Sequence, residues 1–334
     1  MKYVKFGNAG VQVSAVCLGA MTFYERCDEQ TSIDVVRRAF DMGVNFIDTA
    51  DAYGRGASEE FLAKALEGIR DDIFLATKFW VPMWRKRVNG RGCSRFHIVK
   101  AVDASLKRLN TDRIDLLQLH HPDPLVSAEE ILSTLDNLIK QGKVLYVGVS
   151  NHFAWQMAHM LGVSALHNWE PIISIQCRYN MLDRVAELET VPFCQRFNIA
   201  MMGYGPQDGG ILTGKYQRGA QVPPDSRVGQ IKSMQAKLTP ELFDLLDKVK
   251  EVADKYGIGT NQLAVKWVME QPLCVVPIIG GGKPEHFDPL YEVVDLQIDP
   301  ADIQSLNELT EAYKYKEWDN QPMAAGTSPA LNYI

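Results

Sequence analysis

Four side chains in the first 120 residues, Asp48, Tyr53, Lys78 and His120, form a set able to move a proton onto a carbonyl oxygen. A free phenol has a pKa near ~10, about three units too high for a good acid at neutral pH. An ammonium beside it favours the phenolate, and a carboxylate keeps that ammonium charged and in place. This logic gives Tyr53 as general acid, Lys78 as the group that lowers its pKa and Asp48 as the partner of Lys78. His120 would orient the carbonyl or share the proton. Taken singly, each residue has an ordinary explanation: a Lys after a strand is usually solvated, and an Asp before a helix is usually a cap.

The elements that must position them are legible as eight short apolar runs, at 16–18, 46–47, 73–76, 114–119, 144–149, 172–175, 199–202 and 275–279. Each is largely free of in/out alternation, as expected of parallel strands covered on both faces. Helical patterns lie between them. Ile33, Val36, Ala39 and Phe40 share a face and Gly43 supplies a stop, while Ser127 to Glu130 reads as a capping box opening a helix that ends at Gly142. Strand–helix repetition without a linker gives one domain over 1–334. Eight units predict an α/β fold, a single closed (β/α)8 TIM barrel, with a hairpin over 2–13 capping its floor and a tail after Leu309; a doubly wound open sheet is the alternative. In such a barrel chemistry sits where strands end, and here those ends carry Asp48, Lys78, His120-His121, Ser150-Asn151, Gln176 and Tyr204.

Composition narrows the function. Thirty-five basic against forty-one acidic residues leave a net charge of −6, which argues against nucleic acid as a partner. The six cysteines (17, 27, 93, 177, 194, 274) are far apart and read as reduced thiols. The first seven residues lack the apolar run of a signal peptide and no stretch reaches ~20 apolar residues, so a cytoplasmic location without membrane contact is expected. No metal is expected: His120 and His121 are adjacent and should diverge on an extended segment, and Lys78 would compete with a cation. No G-x-S-x-G elbow is present.

The segments Gly43–Gly54, Ala76–Lys78, Ser105–Leu109, Asp115–His120, Gly142–Asn151 and Ile211–Tyr216 together resemble the aldo-keto reductase family over nearly the whole chain. The resemblance implies a (β/α)8 barrel that binds a nicotinamide cofactor and transfers hydride between it and an aldehyde or ketone, or the corresponding alcohol. It matches the family's catalytic tetrad to Asp48, Tyr53, Lys78 and His120. It assigns Ser150, Asn151 and Gln176 to the nicotinamide carboxamide, Tyr204 to stacking on the ring, and Gly205, Gln207, Gly210, Leu212 and Lys215 to the following cofactor loop. Gly280, Gly282, Lys283 and His286 would take the adenosine end, and Trp80, Trp84 and His121 would join Tyr53 and His120 around the substrate.

The chain departs from the family pattern in two loops. The resemblance implies NADP(H) as the cofactor, but Gly280 to Gly282 stand where members favouring the 2′-phosphorylated form carry Arg or Lys, and Leu290 where an Asn is expected, so weak discrimination with NAD(H) accepted as well is expected. The three glycines before Lys283-Pro284 form either an anion cradle of backbone N–H groups or a plain tight turn. Asp208 would repel a pyrophosphate unless it points away. In the loop after Lys78, Arg85, Arg87 and Arg91 are either solvated or placed to meet an anionic substrate group. Tyr313, Tyr315, Trp318 and Tyr333 line the rim or pack outside. Two other functions stay open: a cofactor-binding, redox-sensing regulatory subunit, as in family relatives that associate with potassium channels, and a redox-neutral isomerase or lyase on the same barrel.

Overall fold

In a computed structural model of the protein, which describes residues 1–83, 88–271, 273, 275–281 and 283–315, the chain opens on an antiparallel hairpin, β1 (Tyr3–Lys5) and β2 (Gln12–Ser14). Gly7 makes the turn at φ +56, where a Cβ would lie 2.7 Å from the Ala200 amide nitrogen. Only glycine allows both the backbone and that approach. Phe6, 1% exposed, meets Phe46 and Phe74 edge-on at centroid distances of 5.3 and 5.6 Å. The hairpin therefore closes the floor, as the sequence predicts.

The eight apolar runs become β3 (Cys17–Gly19), β4 (Phe46–Asp48), β5 (Phe74–Phe79), β6 (Ile114–Leu119), β7 (Val144–Ser150), β8 (Ile172–Arg178), β9 (Ala200–Tyr204) and β10 (Val275–Ile279). They close into a parallel barrel in chain order, with β10 returning to β3. Register sets Lys78 beside Gln118 and Ser150 beside Gln176, so the polar strand ends sit at one level.

Outside the strands lie α1 (Glu29–Asp41), α2 (Ala57–Ala65), α3 (Arg95–Leu109), α4 (Ala128–Lys140), α5 (Ala154–His167) and α6 (Thr190–Phe197). After β9 come the short α7 (Arg227–Gln230) and α8 (Lys232–Gln235), then α9 (Pro240–Lys255) and α10 (Thr260–Met269). After β10 come α11 (Asp288–Glu292) and α12 (Pro300–Leu309). Apolar residues fill two layers: an interior plug around Phe46, Leu116 and Met202, and a jacket between strands and helices. In α1 the buried residues are Ser32, Val35, Val36 and Ala39, with Ile33 and Phe40 half-covered, and Gly43 turns the chain at φ +87. Only half of the expected capping box forms on α4. Ser127 accepts from the Glu130 N–H at 3.2 Å, but the Glu130 carboxylate accepts from the Arg95 N–H at 2.8 Å, because the exposed start of α3 lies within reach.

No helix among the described residues is long and apolar enough to cross a membrane. Cys17, Cys27, Cys93, Cys177 and Cys194 are buried free thiols, and Cys274 lies outside the described residues. Tyr313 packs on the jacket and its carbonyl accepts from the Arg184 N–H at 3.1 Å, whereas Tyr315 is exposed. Trp318 and Tyr333 lie outside the described residues.

Candidate active site

Asp48 ends β4 and Lys78 is the penultimate residue of β5. The Lys78 ammonium is fully buried and uses its three donors on Asp48 Oδ2 at 2.6 Å, the Thr49 carbonyl at 2.8 Å and the Tyr53 hydroxyl at 3.2 Å. Burial works against its charge, but Asp48 and Tyr53 outweigh that and leave its pKa above the ordinary lysine value. Tyr53 lies on a single turn, Tyr53–Gly56, in which Gly54, Arg55 and Gly56 all have positive φ (+55, +58 and +97). For Arg55 that conformation is costly, so the surroundings must hold it.

One expectation needs correcting. Lys78 does pull the phenol pKa down, but burial pushes it up harder and Asp48 adds to the rise, so Tyr53 sits above its ordinary value. The tyrosine is held protonated rather than poised near neutrality.

Asp48 is surrounded by donors on both oxygens. Its Oδ1 accepts from Gln118 Nε2 at 3.0 Å and from Gln176 Nε2 at 2.8 Å. Gln118 is a site residue that the sequence reading missed, although a signal existed. It is an uncharged polar residue interrupting the apolar run 114–119 near its end, in register with Lys78 on β5. Gln176, expected to face a carboxamide, has its amide nitrogen turned inward to Asp48.

His120 stands edge-on to Tyr53, with ring centroids 5.9 Å apart. Its pKa lies well below the ordinary histidine value because of burial, then Lys78, then His121. A neutral imidazole is suited to orienting a carbonyl by a hydrogen bond, the first of the two roles expected of His120. His121 does not diverge from it. The two rings stack 5.0 Å apart and 2° from parallel, because β6 ends at Leu119 and strand alternation stops with it. Trp80 stands edge-on to His121 at 5.0 Å. The Nδ1 atoms of both histidines and Trp80 Nε1 are buried without a hydrogen-bond partner. Trp84, Arg85 and Arg87 lie outside the described residues, and Arg91 is half-buried. Among the described residues no group of His, Cys, Asp or Glu could hold a metal ion.

Ser150, Asn151 and Tyr204 join the same cluster. Asn151, at φ +58, donates to the His120 carbonyl and to Ser150 Oγ, both at 3.1 Å, and accepts from the Tyr204 hydroxyl at 3.1 Å. Beyond Tyr204, Gln207 accepts through its carbonyl from the N–H groups of Gly210 and Leu212 at 2.9 and 3.2 Å. Gly205 has open space beside it, whereas Leu212 is fully buried and Lys215 exposed. At Gly210, φ +103, a Cβ would lie 2.7 Å from Lys215 Nζ. Asp208 points into the protein and pairs with Arg178 and Lys237, so its charge is taken up.

The last loop stands apart from these groups. The Gly281 carbonyl accepts from the Thr22 hydroxyl and the Cys27 thiol. Gly280, Lys283 and His286 are exposed, and Gly282 lies outside the described residues. Pro284–His286 is one tight turn followed by the five-residue α11, not the start of a long helix. Leu290, read as standing at an adenine-facing position, is buried in the jacket with Phe287 and Tyr291.

Comparison with known proteins matches residues 15–311 to the aldo/keto reductase family. The chain is 34% identical over 318 residues to the aldo-keto reductase YhdN of Bacillus subtilis, covering 93% of this chain and 94% of the relative. It is 30% identical over 333 residues to the versiconal hemiacetal acetate reductase of Aspergillus parasiticus, covering 92% and 96%. A putative voltage-gated potassium channel subunit beta of Schizosaccharomyces pombe is 32% identical over 316 residues, covering 91% of each chain.

Proposed function

The chain belongs to the aldo/keto reductase family, and on that premise we propose that it is an NAD(P)H-dependent oxidoreductase interconverting a small aldehyde or ketone and its alcohol. The observation that carries the reading is the Lys78 ammonium, shared between Asp48 Oδ2 at 2.6 Å and the Tyr53 hydroxyl at 3.2 Å. When bound, the nicotinamide cofactor supplies hydride to the carbonyl carbon or takes it from the alcohol. Tyr53, held protonated, gives its proton to the carbonyl oxygen, and the charge left on the phenolate faces the Lys78 ammonium. Asp48 offsets that ammonium. Neutral His120 donates a hydrogen bond that orients the oxygen.

The residues present fit such a cofactor. Ser150, Asn151 and Gln176 offer donors and acceptors for a carboxamide, and because the Gln176 nitrogen is engaged by Asp48, its carbonyl oxygen is the atom left to accept. Tyr204 would flank the ring. Gly205 and Gly210 keep backbone bare, the latter beside Lys215, Gln207 would offer its side-chain amide, and fully buried Leu212 would contribute main chain only. Lys283 and His286 with Gly280 and Gly282 would meet the adenosine end. One lysine there supports NADP(H) with NAD(H) accepted.

Relatives bearing the name of potassium channel beta subunits favour a second reading, a cofactor-binding regulatory subunit. Stopped-flow oxidation of bound NADPH by a panel of aldehydes separates the two. Fast turnover supports the enzyme, and very slow turnover with tight NADPH binding supports the regulator. Tyr53→Phe should lower kcat by about 10²–10⁴-fold and leave the NADPH Kd unchanged. Full turnover in that variant would overturn the assignment of Tyr53.

A further inference from the structure

Behind the Tyr53 turn lies a buried ionic cluster for which the chemistry above has no use. Glu59, in the first turn of α2, has no exposed surface. One of its oxygens accepts from Thr77 Oγ1 at 2.7 Å and the other from Arg108 Nε at 2.6 Å. Thr77 immediately precedes Lys78 on β5, and Arg108 comes from the last turn of α3. The Arg108 stem is itself seated: its Nη2 donates to Ser105 Oγ at 3.2 Å, and a Cβ at Gly56 would lie 2.8 Å from its Cδ.

Resting on the function proposed above, we propose that Glu59 is the positioning residue that holds the Tyr53 hydroxyl against the Lys78 ammonium, acting through the turn Tyr53–Gly56. That turn runs straight into α2 at Ala57, so the start of α2 sets where Tyr53 lies. Gly54 and Gly56 take positive φ freely, but Arg55 between them does not hold that conformation by its own preference. It is pinned at one end by the Asp51 N–H, which donates to the Lys78 carbonyl at 3.0 Å, and at the other by the Glu59–Thr77 bond. Both pins end on β5, the strand that carries the ammonium. A contact at 3.2 Å is already at the long end for a hydrogen bond, so a shift of about 0.5 Å at the turn breaks it. Stability alone does not call for a buried ion pair here, since apolar residues of similar volume often serve as well or better. Bonds to both carboxylate oxygens fix direction, which apolar packing does not.

The charged and titratable groups facing Tyr53 are Lys78 from β5, Asp48 from β4, Asp51 from the following loop, His120 beyond β6 and Tyr204 at the end of β9. The test compares Glu59→Ala, Glu59→Gln and the near-isosteric Thr77→Val with wild type in full-length protein. Glu59→Ala should lower kcat at least about tenfold, with KM and the NADPH Kd within about twofold. Glu59→Gln, which still accepts from Thr77, should recover part of that loss. Independently of turnover, the Tyr53 ring resonance in ¹³Cζ-tyrosine-labelled protein, assigned with Tyr53→Phe, should move toward its position in Lys78→Met. If Glu59→Ala does not fold, Thr77→Val and Glu59→Gln carry the same comparison. Unmoved Tyr53 resonances and kcat within twofold, with only Tm lowered, would make Glu59 a structural residue and overturn the proposal. A wild-type protein without reductase turnover would sink the proposed function, yet the resonance shift would still decide the part played by Glu59.

Discussion

The side-chain amides of Gln118 and Gln176 converge on one atom, their nitrogens lying 3.0 and 2.8 Å from Asp48 Oδ1. The two residues sit on β6 and β8, with β7 between them, so one carboxylate gathers donors from three strands including β5. A hydrogen bond to a charged group contributes roughly 1.5–3 kcal/mol, so loss of either amide should be measurable.

Gln118→Leu removes one donor from Asp48 and, of the expected cofactor residues, touches only Gln176, whose Nε2 keeps Asp48 at 2.8 Å when its 3.4 Å contact with Gln118 Oε1 is lost. It should destabilise the fold by about 1–2 kcal/mol, read as a lowered urea midpoint, and reduce kcat several-fold with the NADPH Kd unchanged. Gln176→Leu should weaken both. An effect of Gln118→Leu confined to NADPH affinity would contradict this division.

Much of this site could be read from the sequence, because each polar strand end interrupts an apolar run. Asp48 after Phe46-Ile47 and Lys78 after the 73–76 run stand out for that reason, and adjacent parallel strands then bring them together. Other parts depend on partners far along the chain. Asp208 reads as repulsive to a pyrophosphate until Lys237, 29 residues later, folds back to it. Glu59, beside Glu60, looks like an ordinary acid at a helix start, and only the turn of α2 buries the first while exposing the second. Strand alternation carried past Leu119 would separate His120 from His121, whereas the end of β6 lets their rings stack. The ammonium beside Tyr53 is legible in the sequence, but the burial that outweighs it comes from residues far along the chain.

Lys78→Met leaves Asp48 buried without its cation, and breaking a buried pair from one side costs about 3–5 kcal/mol. The double variant Asp48→Asn/Lys78→Met should recover most of that stability in chemical denaturation and none of the activity. If the double variant is no more stable than Lys78→Met, the pair is not the source of the loss.

Acid should unfold the protein early. Burial depresses the imidazoles of His121 and His152 to about 4, the latter despite its 2.8 Å contact with the Ser150 carbonyl. An unfolded histidine titrates near ~6.5, so between that pH and 4 the unfolded chain binds more protons and stability falls as pH falls. Each group contributes at most about 3 kcal/mol over the whole window. Urea midpoints at pH 7.5, 6 and 5 should decline stepwise, and His152→Asn should flatten the decline. A midpoint constant from pH 7.5 to 5 would refute it.

Asp208→Asn takes the shared anion from Arg178 and Lys237. Arg178 keeps Asp183 at 3.1 Å, so the loss falls on Lys237 and the segment around α8. Amide hydrogen exchange should quicken by about tenfold over residues 232–238 and stay unchanged in β8. Equal exchange in both proteins would show that the pair does not hold the segment.

Phe6 wedged against Phe46 and Phe74 has a kinetic corollary. On the function proposed above, a barrel stoppered at that end would send arrivals and departures at Tyr53 through the opposite mouth, where they must queue. Whatever has reacted has to clear the passage before its successor can be seated, and crowding there would slow every round.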